Sequence, residues 1–319
     1  MREVSSWRKL QNFWDLTEGR GEVSNGKIAF SRTNADLTSR VYVIEEDGTN
    51  ETRLADNPAL RVGPAWSPDG EQIAFLRSPA ESSAFDVYII DENGTNETRL
   101  TQTHSEPETS TNLGSPVWSP DGKKIVFSSS AITTTPPSSD SPESAGASTA
   151  PAAGMTGIYV IDVDTAGICK LTSTAGQYHV SELPAWSPDG DKIAFYDKEA
   201  INVINADGTE RKELTDTVSD PSAPAWAPDG KRIAFVKQGD LYVINADGSG
   251  LRRLANTTGP EILPAWSPDG EKIAFSCPAA PGASGTDICV MNADGTEWKR
   301  IALKVASEEG PVSVSWGRG

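Results

Sequence analysis

Six times along the chain the triplet Ile-Ala-Phe, once as Ile-Val-Phe, recurs: at Ile28, Ile73, Ile125, Ile193, Ile233 and Ile273. A strand-like repeat with a period of about forty residues limits the chain to an array of similar supersecondary units. A tryptophan precedes five of these triplets at a fixed distance, at Trp66, Trp118, Trp186, Trp226 and Trp266. The first copy lacks it, and the missing residue stands at the far end of the chain as Trp316. The termini therefore share one unit between them, and an array that divides a unit in this way closes into a ring.

Each unit reads as four short strands. The first holds Pro-Ala-Trp, the second Lys-Ile-Ala-Phe, the third a run such as the one from Leu241 (LYVIN), and the fourth a shorter Arg-Arg-Leu or Thr-Arg-Leu. These runs are apolar at consecutive positions, as expected of strands covered on both faces. Ser-Pro-Asp-Gly between the first two strands puts Pro, Asp and Gly where a tight turn needs them. Asp-Gly or Asn-Gly between the third and fourth marks a hairpin, and only the third copy departs, with DVDTAG from Asp162. The expected fold is all-β: a six-bladed propeller of four-stranded antiparallel blades over residues 26–319, its first blade closed by a C-terminal strand at Val312 to Trp316.

Residues 1–25 precede the ring, and Trp7, Leu10 and Trp14 at helical spacing predict one short helix there. Residues 128–157, rich in Ser, Thr, Pro and Ala, form a low-complexity insertion in the third blade, read as a tolerated surface segment. Both tight turns of each blade share one face. The irregular connections share the other, where function is expected.

The unit PAWSPDGxKIAF followed by IYVINADGTxxxRLT resembles the TolB-like propeller repeat, a WSPDG variant of the WD-type repeats. The likeness runs from about Gly26 to Trp316. It implies a non-enzymatic platform that binds a protein or peptide at the funnel face, a prokaryotic source and a periplasmic or extracellular setting, although the chain shows no signal peptide. The long N-terminal domain of TolB itself and the catalytic domain of related propeller peptidases have no counterpart here.

The formal charge of −17 argues against nucleic acid, whose binding rests on Lys and Arg displacing counterions. It favours a partner with a basic segment. No apolar run is long enough to span a membrane, and a monomer is the expected state. Acids in the connections that enter successive blades, Glu106, Glu108, Glu182, Asp220, Glu261, Glu308 and Glu309, together with His179, are the candidate binding residues. No cofactor is expected. Ca²⁺ near Glu182, Asp220 and Glu261 is the one ion their oxygens would suit.

The chain holds two histidines, His104 and His179, and no GxSxG. An alternative reading uses both, with nearby carboxylates, as a metal site for lyase or lactonase chemistry at the channel mouth. Another makes the chain the sensor domain of a larger signalling or defence protein. Asp69, Asp121, Asp189, Asp229 and Asp269 are read as turn residues that cap their own backbone. Asp86, Asp240 and Asp287 are read as loop-fixing residues. The N-x-T asparagines Asn50, Asn93, Asn96 and Asn256 are taken as coincidence. Cys169, Cys277 and Cys289 are expected to be buried free thiols, with a Cys277–Cys289 bridge left open.

Overall fold

The computed structural model describes residues 28–33, 39–44, 50–54, 60–78, 85–101, 113–129, 157–172, 184–197, 199–216, 224–255, 262–267, 269–278 and 286–301. Every regular element among them is a β-strand, and the strands form six sheets in which sequence neighbours pair. The first sheet has three strands, Ile28–Thr33, Ser39–Ile44 and Thr52–Arg53; the other five have four each. The fold is a six-bladed β-propeller of four-stranded antiparallel blades. The expected N-terminal helix and the closing strand at Val312 to Trp316 lie outside the described residues. By contacts the chain divides into two units: Met1–Ile28, Val43–Thr52 and Leu183–Gly319 in one, Ala29–Tyr42 and Arg53–Glu182 in the other.

Within the second of these units stand the second and third blades. The second is built from Leu60–Trp66, Gln72–Ser78, Asp86–Asp91 and Thr98–Arg99. The third uses Val117–Trp118, Lys124–Ser129, Gly157–Asp162 and Ile168–Lys170. The core lies between the sheets. Ala74, Leu76, Val87, Ile89 and Leu100 of one pack on Trp118, Ile125, Phe127, Tyr159 and Ile161 of the other. Each strand thus serves two interfaces: in Ile-Ala-Phe the bulky residues face the preceding blade, while Ala leaves room for the tryptophan and phenylalanine of the next. Burying each such Ile or Phe contributes about 1.5–3 kcal/mol.

The other unit repeats the scheme in three blades. The fourth holds Ala185–Trp186, Lys192–Asp197, Ala200–Asn205 and Lys212–Glu213. The fifth holds Ala225–Trp226, Arg232–Lys237, Asp240–Asn245 and Arg252–Arg253. The sixth holds Ile262–Trp266, Lys272–Pro278, Thr286–Asn292 and Lys299–Ile301. Tyr196, Ile201 and Val203 of the fourth blade meet Trp226, Ile233 and Phe235 of the fifth. Ala234, Leu241 and Val243 of the fifth meet Trp266, Ile273 and Phe275 of the sixth.

Tryptophan does more than fill these interfaces. Trp118 Nε1 donates to the Ala65 carbonyl at 3.0 Å, Trp226 Nε1 to that of Ala185 at 3.1 Å, and Trp266 Nε1 to that of Ala225 at 3.0 Å. In each case the acceptor is the residue just before the preceding blade's own tryptophan. A buried N–H needs such a partner, and here it is supplied by the neighbouring first strand.

Two sequence expectations require correction. Cys277 and Cys289 form a disulfide with Cα atoms 5.9 Å apart, both fully buried, while Cys169 is free and exposed rather than buried. The register explains the bridge: Cys289 faces Phe275 across the hairpin, and Cys277 lies two residues further along the same face. The low-complexity insertion is also shorter than its composition suggests. Ser128 and Ser129 still belong to the second strand and Gly157 opens the third, pairing with Ser129.

Candidate binding face

In a meander of antiparallel strands, the connections between strands one and two and between three and four leave from one end of the sheet. Those between two and three, and between blades, leave from the other. The first end can be called the turn end and the second the loop end.

At the turn end the aspartates of the Pro-Asp-Gly turns are committed to the backbone. Ser67 Oγ donates to Asp69 Oδ1 at 2.6 Å and accepts from Gln72 N, while Asp69 Oδ1 also accepts from Glu71 N at 3.0 Å. Ser119 with Asp121, Ser187 with Asp189, and Ser267 with Asp269 repeat this arrangement. In the fifth blade Ala227 replaces the serine, and Asp229 accepts from Lys231 N and pairs with Arg232 at 3.0 Å. The serine hydroxyl, with the backbone N–H, holds the carboxyls of Asp69, Asp121 and Asp189 below the usual carboxylate range. Gly70, Gly122, Gly190, Gly230 and Gly270 close these turns at φ between 66° and 76°, a region that only glycine enters freely.

The second turn is equally occupied. Asp207 Oδ1 accepts from Thr209 N and Oγ1, Asp247 from Ser249, and Asp294 from Thr296. Asn93 does the same for Thr95, and Asn50 and Asn96 stand at φ 55° and 56°, where asparagine is better tolerated than most residues. The described N-x-T asparagines thus have conformational work within the turns.

Along the blade faces the remaining charges meet each other. Asp86, fully buried, pairs with Arg99 at 2.7 Å and accepts from Thr101 Oγ1 at 2.9 Å. Asp240 pairs with Arg253 at 2.7 Å. Both confirm a structural role; the Asp287 side chain lies outside the described residues. A second pair crosses the third strand with its charges exchanged between blades. Arg77 on the second strand reaches Glu97 with its guanidinium 4.9 Å above the Tyr88 ring. Asp197 at the same repeat position reaches Arg211, whose guanidinium lies 5.3 Å above Phe195. Sequence reasoning passed over this pair and the Thr of the Arg-Leu-Thr run. Thr101, Thr172 and Thr215 each accept, through Oγ1, the N–H of a third-strand residue: Val87, Ile158 and Ile201. The recurrence of that Thr was the available signal.

The loop end is uneven. The second and third strands are joined by residues 79–85, 130–156 and 279–285 in the second, third and sixth blades, but by two residues in the fourth and fifth. Glu199, Gln238 and Gly239 sit in those short turns at φ 62°, 55° and 78°. The irregularity expected of this end therefore spares two blades. Glu106, Glu108, His179, Glu182, Asp220, Glu261, Glu308 and Glu309, and also His104, lie outside the described residues. The first strands that follow Glu106 and Glu108, Glu182, Asp220 and Glu261 are described, at Val117–Trp118, Ala185–Trp186, Ala225–Trp226 and Ile262–Trp266; the segment that follows Glu308 and Glu309 is not. Among the described residues no three His, Cys, Asp or Glu side chains gather as a metal site, and the Ca²⁺ position near Glu182, Asp220 and Glu261 falls outside them. No described helix is long and apolar enough to cross a membrane.

No curated protein matches the chain by sequence. Residues 180–318 match the family model described as TolB beta propeller domain. In fold the chain is similar to TolB from Acinetobacter baumannii, with a TM-score of 0.60 at 20% identity over 93% of this chain and 68% of that one. It is similar also to the putative TolB from Agrobacterium tumefaciens, at 0.54 and 20% over 79% and 83%. An oligogalacturonate lyase in complex with manganese scores 0.62 at 16%, over 89% and 76%. The repeat and the blade-to-blade packing make this chain a β-propeller, similar in fold to the TolB propellers and matched by their family model over residues 180–318.

Proposed function

We propose that the protein is a non-enzymatic binding platform whose loop end receives a protein or peptide partner with a basic segment. One observation carries this reading. The connections at the loop end, residues 34–38, 55–59, 79–84, 102–112, 130–156, 173–183, 198–199, 217–223, 256–261, 279–285 and 302–311, contain Asp36, Asp56, Glu81, Glu106, Glu108, Asp140, Glu143, Glu182, Glu199, Asp220, Glu261, Glu308 and Glu309 against the two bases Lys198 and Lys304. The aspartates of the tight turns, and Asp86, Asp197 and Asp240 on the blade faces, are bonded within the fold. Like charges gathered on one end raise the local concentration of a basic partner and steer its approach. The TolB-like fold supports the same role. The buried Cys277–Cys289 disulfide supports an oxidising, extracytoplasmic setting.

The test is affinity capture from the native organism with the wild type and with a Glu182→Lys, Asp220→Lys, Glu261→Lys variant. Partners retained at low salt by the wild type are expected to be lost from the variant. Retention of the same partners by a variant with an unchanged melting curve would remove the loop end as the binding face.

A second reading, a metal-dependent lyase or lactonase, is supported by the likeness to an oligogalacturonate lyase that binds manganese. His104, His179 and carboxylates of their segments would be the donors. It requires Mn²⁺-dependent cleavage of oligogalacturonate that disappears in a His104→Ala, His179→Ala variant. Absence of cleavage with Mn²⁺ present eliminates that substrate.

A further inference from the structure

The residue that follows the positive-φ position after each Asp-Gly or Asn-Gly turn occupies one slot of the repeat: Glu51, Glu97, Arg211, Leu251 and Trp298 in the first, second, fourth, fifth and sixth blades. In the second and fourth blades the slot is charged and turned onto its own blade, Glu97 to Arg77 and Arg211 to Asp197. In the fifth and sixth it holds the two large apolar side chains that stand out to solvent among the described residues, Leu251 at 45% and Trp298 at 40% exposure. Their inward partners have been reassigned. Lys237, at the Arg77 position, pairs with Asp216 at 2.5 Å, and Cys277 is held in the disulfide.

Each of these apolar residues is followed by a base, Arg252 and Lys299, and Arg252, like Lys212 of the fourth blade, is held by the next blade's turn. Lys212 Nζ donates to the Asp247 carbonyl of the fifth blade's turn at 2.6 Å. Arg252 donates through Nη1 to the Asp294 carbonyl at 2.9 Å and through Nη2 to that of Ala293 at 3.2 Å in the sixth. The carboxylates of these two aspartates are turned to Ser249 and Thr296 instead. Carbonyl oxygens thus order Lys212 and Arg252, which also act electrostatically on the carboxylates of Asp247 and Asp294, and Lys299 follows Trp298 in the chain and is exposed. Side chains already ordered lose less entropy when a ligand arrives.

We propose that the outer edge of the fifth and sixth blades, centred on Leu251, Arg252, Trp298 and Lys299, docks an acidic segment of a partner protein that carries an apolar side chain. Charge complementarity selects this occupant. A broad anionic surface would meet the repulsion of a chain with net charge −17. A short acidic segment meets only the charges within about 10 Å at 0.1 M salt, where Arg252 and Lys299 attract it and Asp247, Asp294 and Glu297 restrict where its acids can sit. The site is separate from the loop end and does not depend on the reading given for it.

The probe is a fluorescein-labelled synthetic peptide of Asp, Glu, Leu and Trp, paired with a control in which each acid is replaced by Asn or Gln. Anisotropy titration with the full chain is expected to show saturable binding of the acidic peptide, weakened by salt. Binding should be at least about tenfold weaker, a loss of about 1.4 kcal/mol, in Arg252→Glu, Lys299→Glu and in Leu251→Ser, Trp298→Ser variants. The loop-end variant described above should bind it undiminished. Melting curves separate lost binding from lost folding, with the milder Trp298→Tyr and Lys299→Gln as reserves. Equal binding of the control peptide, no binding, or binding indifferent to the edge variants overturns the proposal. So does Trp298-dependent association with phosphatidylglycerol vesicles, which assigns the edge to lipid, or Trp298-dependent dimerisation in sedimentation, which assigns it to a second copy.

Discussion

A serine placed two residues before an aspartate contributes to the acid response of this protein. In the folded chain the hydroxyls of Ser67, Ser119 and Ser187 keep Asp69, Asp121 and Asp189 ionised to lower pH than in an unfolded chain. A carboxyl with a depressed folded pKa contributes stability that is complete above its unfolded value and disappears as pH falls through the folded value. Urea midpoints should therefore be insensitive to these groups down to pH about 5 and fall below about pH 4. A Ser187→Ala variant should show a shallower fall. The exchanged pair makes a sharper prediction. Asp197→Arg places two cations together over Phe195 and should cost about 3 kcal/mol or more, whereas Asp197→Arg with Arg211→Glu rebuilds the second blade's arrangement and should recover most of it in urea unfolding. The turn aspartates were legible in the sequence because turn chemistry is local and each copy repeats it. The Arg77–Glu97 and Asp197–Arg211 pairs were not, because neither position keeps one charge from copy to copy and only the strand register reveals that the two positions meet.

Among the elements, the sixth blade's central hairpin differs from its siblings in being covalently closed. Where Phe75, Phe127 and Phe235 stack on Tyr88, Tyr159 and Tyr242, Phe275 faces Cys289 instead. The bridge restores the missing cross-strand tie. A Cys277→Ser, Cys289→Ser variant should lose roughly 3 kcal/mol in urea unfolding, the value for closing a loop of this length. Native protein should present one thiol to a thiol reagent, that of the exposed Cys169. Spacing alone suggested neighbouring strands for Cys277 and Cys289. It could not distinguish a diagonal pair on one face from two residues on opposite faces, since a shift of one residue reverses every side chain. The seam between blades offers a second test. Trp226→Phe keeps the apolar contact with Ile233 and Phe235 but removes the donor to Ala185, and should cost about 1 kcal/mol, as should Trp118→Phe and Trp266→Phe.

At the scale of the whole molecule the charge is not spread evenly. By sequence the connections between blades are rich in acids and poor in bases, while Arg252 and Lys299 stand on the fourth strands of the fifth and sixth blades. Self-repulsion from a net charge of −17 should make the fold salt-sensitive. Raising salt from 0.01 to 0.1 M shortens the screening length from about 30 to about 10 Å and is expected to raise the thermal midpoint. Blade number and strand order were readable from six copies of one triplet. The candidate binding residues were read from segments that do not repeat, where there is nothing to align, and they lie outside the described residues. The tryptophan bond to Ala65, Ala185 and Ala225 bears on that contrast. Its acceptor is main chain, so the joint recognises no particular neighbour: any copy that keeps its own tryptophan can be fitted beside any other. A protein assembled through such interchangeable joints can lengthen, recharge or replace one blade's connections without renegotiating its fit with the next. Diversity at the loop end then costs the scaffold little, and a library of altered connections built on this chain should fold far more often than one that touches the joints.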